Sequence, residues 1–255
     1  MVRNILAVDV GNSRAKFGLF ERDGSQIESK ALTAISLRTH RDVAGKLADW
    51  ASEFSVDSCV IAGSNEPVAE RLAADWSSNL PSPAILRRPQ SIPVTLNVDQ
   101  PDAVGIDRVL NALAAHHLFP DQAVVVVDSG TATTVDLVSE TGIFEGGTIF
   151  PGLRLSAYAL HDYTAKLPLI DVDAIRQSHP PLPGRNTDEA IRAGLYWGQV
   201  GAIREIVQRI SESYRPAVRT IITGGALKQL QPHLPDSVAV EGLPLHGLAV
   251  LADSI

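Results

Sequence analysis

Two stretches of the chain carry one pattern of apolar and polar positions. Ile5-Leu6-Ala7-Val8 is a short apolar run that stops at Asp9, and Gly11, Asn12 and Ser13 follow as a turn. Ala15 to Phe20 reads as a returning strand. Asp23-Gly24 is a hairpin signal, and Gln26 to Leu32 predicts a third strand, so the chain opens with a β-meander. Val124-Val125-Val126-Val127 then reaches Asp128 in the same way, and Ser129, Gly130 and Thr131 turn the chain. Thr133 to Val138 returns, Thr141-Gly142 turns again, and Ile143 starts a further strand.

The stretches between have helical spacing. Val43, Leu47, Trp50, Ala51 and Phe54 recur every three or four residues and predict an amphipathic helix. Ser58 to Gly63 reads as a buried strand, and Val68, Leu72, Ala73, Trp76 and Leu80 mark a second helix. Residues 81–101 hold five prolines and predict a loop with one short strand near Ile85. Ile106, Val109, Leu110, Leu113 and Leu118 predict a third helix. Gly146-Gly147-Thr148-Ile149-Phe150-Pro151-Gly152 reads as a loop in which backbone approaches something closely. A long helix runs from about Thr187 to Tyr214, and Arg219 to Thr223 is a strand stopped by Gly224-Gly225.

Asp9 and Asp128 lie 119 positions apart, close to half the chain. The repeat predicts an α/β protein of two similar domains, residues 1–118 and 119–255. Each has a mixed β-sheet that opens with a meander and is flanked by helices, with a cleft between them.

Composition narrows the class. At 255 residues, 45% hydrophobic and 20% charged, the chain can bury a sizeable core. A net charge of -7 argues against nucleic acid as the main partner but not against one bound nucleotide. Cys59 is the single cysteine, which excludes an internal disulfide and fits a reducing cytosol. It sits among apolar residues and reads as a small buried hydrophobe. Asp9 interrupts the first apolar run too early for a signal peptide, and no run approaches the length of a membrane span.

A carboxylate at a strand end points into a cleft or takes a partner, because burying it unpaired is costly. At Asp9-Val10-Gly11-Asn12-Ser13 the turn exposes successive amide N–H groups that can cradle phosphates, and Lys16 lies within reach. Asp128-Ser129-Gly130-Thr131-Ala132-Thr133-Thr134 is the same device with more hydroxyls. Two such hairpins would hold a polyphosphate, with Mg²⁺ neutralising it near Asp9. Asp136, between Val135 and Leu137, reads as solvent-facing. Asp107 and Asn111 share a helix face after Gly105-Ile106. Asp107 serves either the helix dipole or as a base toward an acceptor hydroxyl, and Arg108 offers a fork for a carboxylate or phosphate. Thr187 reads as the N-cap of the long helix. The histidines show no metal spacing, and the pair His116-His117 reads as partly exposed.

Together these segments resemble the type III pantothenate kinases, a branch of the superfamily of acetate and sugar kinases, heat-shock chaperones and actin. The resemblance rests on the order of Asp9 to Ser13, Gly105 to Arg108 with Asn111, Asp128 to Thr133, Gly146 to Ile149, Pro151-Gly152, Thr164 to Pro168, Asn186-Thr187 with Gly194, and Gly224-Gly225. It implies two actin-like (ribonuclease H-like) domains and transfer of phosphate from ATP to pantothenate, the first step of coenzyme A synthesis. Asp9, Val10, Gly11, Asn12, Ser13, Arg14, Ala15 and Lys16 would form the first phosphate loop. Thr131, Gly224 and Gly225 would contact ATP, and Asp128 would ligate a monovalent cation, K⁺ or NH₄⁺. Asp107 would be the general base, Gly105 to Arg108 would line the pantothenate pocket, and Thr187 would reach the pantothenate of a partner subunit in a cytoplasmic homodimer. One position departs from the family pattern: Val98 stands where many members carry a tyrosine. A nucleotide-binding regulator without turnover, and a kinase of another hydroxylated acid or sugar, are the alternative readings.

Overall fold

A computed structural model of the chain describes residues 2–40, 42–175, 179–214 and 217–252. They form two compact units, and the chain passes between them more than once. Unit 1 comprises Met1–Asp121, Val138–Glu145 and Gly242–Ile255, and unit 2 comprises Gln122–Leu137 and Gly146–Glu241. A single division after residue 118 is therefore replaced by interleaved segments. The last helix, apolar on all sides, packs in the first unit.

Unit 1 is built on a five-stranded sheet of order β3-β2-β1-β4-β5. Its strands are β1 (Arg3–Val10), β2 (Arg14–Asp23), β3 (Gln26–Ser36), β4 (Ser58–Ala62) and β5 (Pro83–Ile85). The meander is antiparallel, and β4 and β5 add in parallel. Alternation along β1 sorts its residues between the two faces. Leu6, Val8 and Val10 pack with α1 (Val43–Ala51) and α2 (Glu66–Ala74). Ile5, Ala7 and Asp9 point the other way. Leu245 of α8 (Leu243–Leu251) approaches Gly18, the residue paired with Ala7, so α8 covers that second face. The helix α3 (Ile106–Leu118) packs on α8.

Unit 2 carries a second five-stranded sheet, β8-β7-β6-β9-β10 when read from its meander. The strands are β6 (Ala123–Ser129), β7 (Ala132–Val138), β8 (Phe144–Pro151), β9 (Val218–Thr223) and β10 (Ser237–Ala239). The order matches that of the first sheet strand for strand, so the repeat in the sequence is a repeat of topology. Val125, Val127 and Val135 pack against α6 (Thr187–Ser213) through Ile191, Val200 and Ile203. Shorter helices α4 (Leu153–Asp162), α5 (Val172–Ile175) and α7 (Leu227–Leu230) complete the unit.

The structure departs from the sequence reading at several points. Helix α2 ends at Ala74. Trp76 and Leu80 keep their place against the core from a polar turn, where Trp76 Nε1 donates to Pro81 O at 3.0 Å. The glycine segment 146–151 is part of strand β8, with only Gly152 outside it. The expected close approach is real: a Cβ on Gly147 would lie 2.3 Å from Val135 O and 2.2 Å from Asp136 Oδ1. Asp136 is 1% exposed and is buried, not solvent-facing, with its carboxylate against the backbone of Gly147 on the neighbouring strand. The N-cap of α6 is Asn186, whose side chain accepts from Glu189 N at 2.9 Å, and Thr187 is the first helical residue. Cys59 is buried, as expected, and burial pushes its thiol pKa up to about 12. No helix among the described residues is long and apolar enough to cross a membrane.

His246 of α8 is a buried titratable group that no site reading accounts for. It is 6% exposed, with the Phe20 ring 5.8 Å and the His117 ring 5.5 Å away. Its Nε2 has no hydrogen-bond partner among the described residues. Burial, and secondly His117, push its pKa down to about 4. An unfolded histidine titrates near pH ~6.5, so between these values the unfolded chain binds the proton more readily. Stability is complete above the unfolded pKa and falls as pH drops toward 4. We expect wild type to lose about 2 kcal/mol between pH 7.5 and 5 from this group, read by urea unfolding. His246→Phe should remove that part of the loss; an unchanged slope in the variant would show that other groups carry it.

Candidate active site

The first hairpin turns at Gly11-Asn12-Ser13, with Gly11 N donating to Arg14 O at 2.9 Å. Asp9 and Lys16 are cross-strand partners in the β1–β2 register. Lys16 Nζ lies 2.9 Å from Asp9 Oδ2, so the carboxylate, 2% exposed as a residue, takes a partner as its position demands. Val10 and Ala15 are fully buried and can offer a ligand only backbone, whereas Asn12 and Arg14 are exposed. Asp9 shares its sheet face with Ala7, on the side that carries α8 and, through it, α3.

Helix α3 starts at Gly105 as N-cap, with Asp107 and Arg108 half-buried in its first turn. Asp107 Oδ1 accepts from Arg108 N at 2.9 Å. The Arg108 guanidinium stacks over Phe144, 5.2 Å from the ring centroid, which fixes its stem and leaves its planar fork oriented. Asn111, one turn along the same face, is 1% exposed. Ile106 is buried and anchors the turn.

In unit 2 the second hairpin turns within two residues, Gly130 and Thr131, both exposed. Asp128, the next-to-last residue of β6, lies on the face away from α6. Gly224, at φ +91, passes close to it: a Cβ there would sit 2.4 Å from Asp128 Oδ1 and 2.6 Å from Ser129 O. Gly225 follows, exposed, at the head of α7. Thr131 O accepts from Gly152 N at 3.0 Å, which brings the start of α4 against the turn. Two of the additional hydroxyls of this stretch are engaged within the unit. Ser129 and Thr133 are 1% and 0% exposed and turn toward α6. There Gln199 Nε2 donates to both hydroxyls at 2.8 Å.

Sequence reasoning passed over Gln199. Its signal was present: Ile191, Leu195, Gln199 and Ile203 follow at four-residue spacing, so one amide interrupts an otherwise apolar stripe. Thr187 is exposed and lines a groove of about 1000 Å³ between α4 and the start of α6, with Pro151, Leu160, Leu167, Ile191 and Leu195 along its walls.

Asp9 to Lys16 and Gly105 to Arg108 therefore belong to unit 1, and Asp128, Thr131, Thr187, Gly224 and Gly225 to unit 2. Within unit 2, Asp128, the turn and Gly224 are in contact. No group of three or more His, Cys, Asp or Glu side chains able to hold a metal is present among the described residues.

The sequence model of a family described as type III pantothenate kinase matches residues 5–209. The type III pantothenate kinase of Acidiphilium cryptum strain JF-5 is 35% identical over 260 residues, covering 95% of this chain and 94% of that protein. That of Alkalilimnicola ehrlichii is 36% identical, covering 97% of each. Among solved structures, the activator of the 2-hydroxyisocaproyl-CoA dehydratase from Clostridium difficile, with bound ADPNP, aligns at a TM-score of 0.56 and 12% identity. It covers 98% of this chain and 94% of that one, a likeness of fold of the actin-like kind.

Proposed function

The chain belongs to the type III pantothenate kinase family, and on that premise we propose that it transfers the γ-phosphoryl group of ATP to the primary hydroxyl of pantothenate in the cytoplasm. The observation that carries the reading is the duplicated hairpin. Two sheets of identical strand order each carry an aspartate one residue before the end of their first strand, ahead of a glycine turn, and that turn offers backbone N–H groups to phosphate oxygens.

Residues 9 to 16 bind phosphate through turn amides and the Lys16 ammonium, and Thr131 adds its hydroxyl. Gly224 and Gly225 lie flat against the nucleoside. A kinase of this family works on ATP with a divalent ion. The residues fit Mg²⁺: Asp9, a hard oxygen acceptor at the turn, would hold it through a bound water, and the ion would neutralise phosphate charge. Asp128 would suit K⁺ or NH₄⁺ through its carboxylate oxygens, beside the Gly224 backbone that passes close to it. Arg108 and the backbone from Gly105 grip the acceptor's carboxylate. Asp107 takes the hydroxyl proton as that oxygen bonds to the γ-phosphorus. The bond to the β–γ bridging oxygen breaks, and ADP leaves. Positioning and electrostatics supply most of the acceleration.

We assign the face around Thr187 to a second copy of the chain. Tyr163, which lines the groove, is 90% exposed and offers a large ring there to such a partner.

The test is transfer of labelled phosphate from ATP to pantothenate, run in potassium and then in sodium, with sedimentation on the same sample. Phosphopantothenate formed faster in potassium by a dimer is expected. ATP consumption only with another hydroxylated acid, or nucleotide binding without turnover, would replace this reading with one of its two rivals.

A further inference from the structure

The two hairpins are closed at their bases in different ways. In the first, Val10 and Ala15 are cross-strand partners, both 0% exposed, and the contact is apolar. In the second, Ser129 and Thr133 flank the turn with their hydroxyls 3.3 Å apart, and Gln199 bridges them from α6 at 2.8 Å each. Gln199 is 7% exposed, and its Oε1 has no hydrogen-bond partner among the described residues. A buried orphan acceptor lowers stability, and the first hairpin demonstrates that an apolar base closes the same turn. Packing alone therefore does not account for the amide.

Hydrogen bonds differ from apolar contact in being directional. Two bonds from one amide nitrogen, one to each strand, fix the angle at which the turn leaves the sheet. The Gly130-Thr131 turn is also held by Ala226 N donating to Ser129 O at 3.1 Å and by Gly152 N donating to Thr131 O. Gln199 is the side chain that ties it to the long helix. Twelve residues earlier that helix begins at Thr187, about 18 Å away along its axis.

We infer that Gln199 is a positioning residue for the second phosphate loop: by bridging Ser129 and Thr133 it sets the orientation of Gly130-Thr131, and so the KM for ATP. The inference rests on the kinase reading above, and it adds a residue that does not itself touch the nucleotide. Gln199 does not belong to the acceptor site, so the KM for pantothenate should stay near wild type.

The experiment compares wild type, Gln199→Leu and the triple variant Ser129→Ala, Thr133→Val, Gln199→Leu. For each, KM for ATP, KM for pantothenate, kcat and Tm are measured, and ATP binding is followed by calorimetry. Gln199→Leu leaves the buried Ser129 and Thr133 hydroxyls with only their mutual 3.3 Å contact, so Tm falls and KM for ATP rises about tenfold, with KM for pantothenate changed less than about twofold. The triple variant restores an apolar base like that of the first hairpin. Its Tm recovers while its KM for ATP stays high. Recovery of both together, or an unchanged KM for ATP in Gln199→Leu, would overturn the positioning role, since a merely structural contact predicts those results. Failure of wild type to bind ATP would instead overturn the kinase reading itself, and the inference with it.

Discussion

Asp107→Asn should lower kcat for pantothenate phosphorylation by about 10²- to 10⁴-fold, the range for loss of a general base. The substitution keeps the shape of the side chain and an oxygen that can accept from Arg108 N, the contact seen at 2.9 Å. Helix α3 should start as before, because Gly105 is its N-cap and Ile106 remains buried. What disappears is the ability to take a proton from the attacking hydroxyl, together with one negative charge at the helix start. Lost charge affects stability by less than about 1 kcal/mol, so Tm should shift by only a few degrees. ATP affinity, measured by calorimetry, should remain within about twofold. Loss of ATP binding in proportion to turnover would sink the base assignment, and would mean that Asp107 supports nucleotide binding instead.

Replacing Lys16 should unsettle the first hairpin more than any single surface change. Asp9 is buried at the end of β1, and Lys16 Nζ meets it at 2.9 Å from the facing strand. Lys16→Met leaves that carboxylate buried without the ammonium, and removing one partner of a buried pair costs about 3 kcal/mol or more. A loss of that size is a large part of the ~5–15 kcal/mol that holds a typical domain folded. Adding Asp9→Asn removes the uncompensated charge, so the double variant should recover most of the stability in urea unfolding. ATP affinity should recover in neither, since the ammonium proposed to meet the phosphates is absent from both. If Lys16→Met unfolds within about 0.5 kcal/mol of wild type, as an ordinary surface substitution does, the pair is not an anchor of the loop.

Much of the architecture was legible because it depends on local periodicity. The β-meanders, the helix from Val43, the strand from Ser58 and the long helix from Thr187 follow from apolar spacing and turn residues within a dozen positions. The duplication was legible because the Asp-x-Gly turn recurs at half the chain, and the matching strand orders agree with it. Gly105 to Arg108 and the two hairpin turns could be marked as candidates because carboxylates and glycines at strand and helix ends are costly unless they serve something.

Other features depended on what each segment packs against. Asp136 alternates with Val135 and Leu137 as a solvated residue would, yet neighbouring elements cover its face and bury it. The glycines 146 and 147 looked like a loop because glycine weakens strands, but here the missing side chain of Gly147 lets β8 pass close to β7. Ser129 and Thr133 lie in the hydroxyl-rich stretch around the second turn, and Gln199, 66 positions beyond Thr133, engages their hydroxyls from α6. The segment after Gly242 carried no motif, and it is the helix that covers the Asp9 side of the first sheet.

The amino-acid sequence by itself therefore determined most of the secondary elements, their duplication and the acidic turns, which are written in the spacing of neighbouring residues, and the order of its motifs carried the resemblance to the family. Only the tertiary structure decided which carboxylates are buried, which hydroxyls are already engaged, and that the chain's last helix belongs with its first strands. Those outcomes depend on contacts between residues far apart in the chain, and local periodicity carries no record of them.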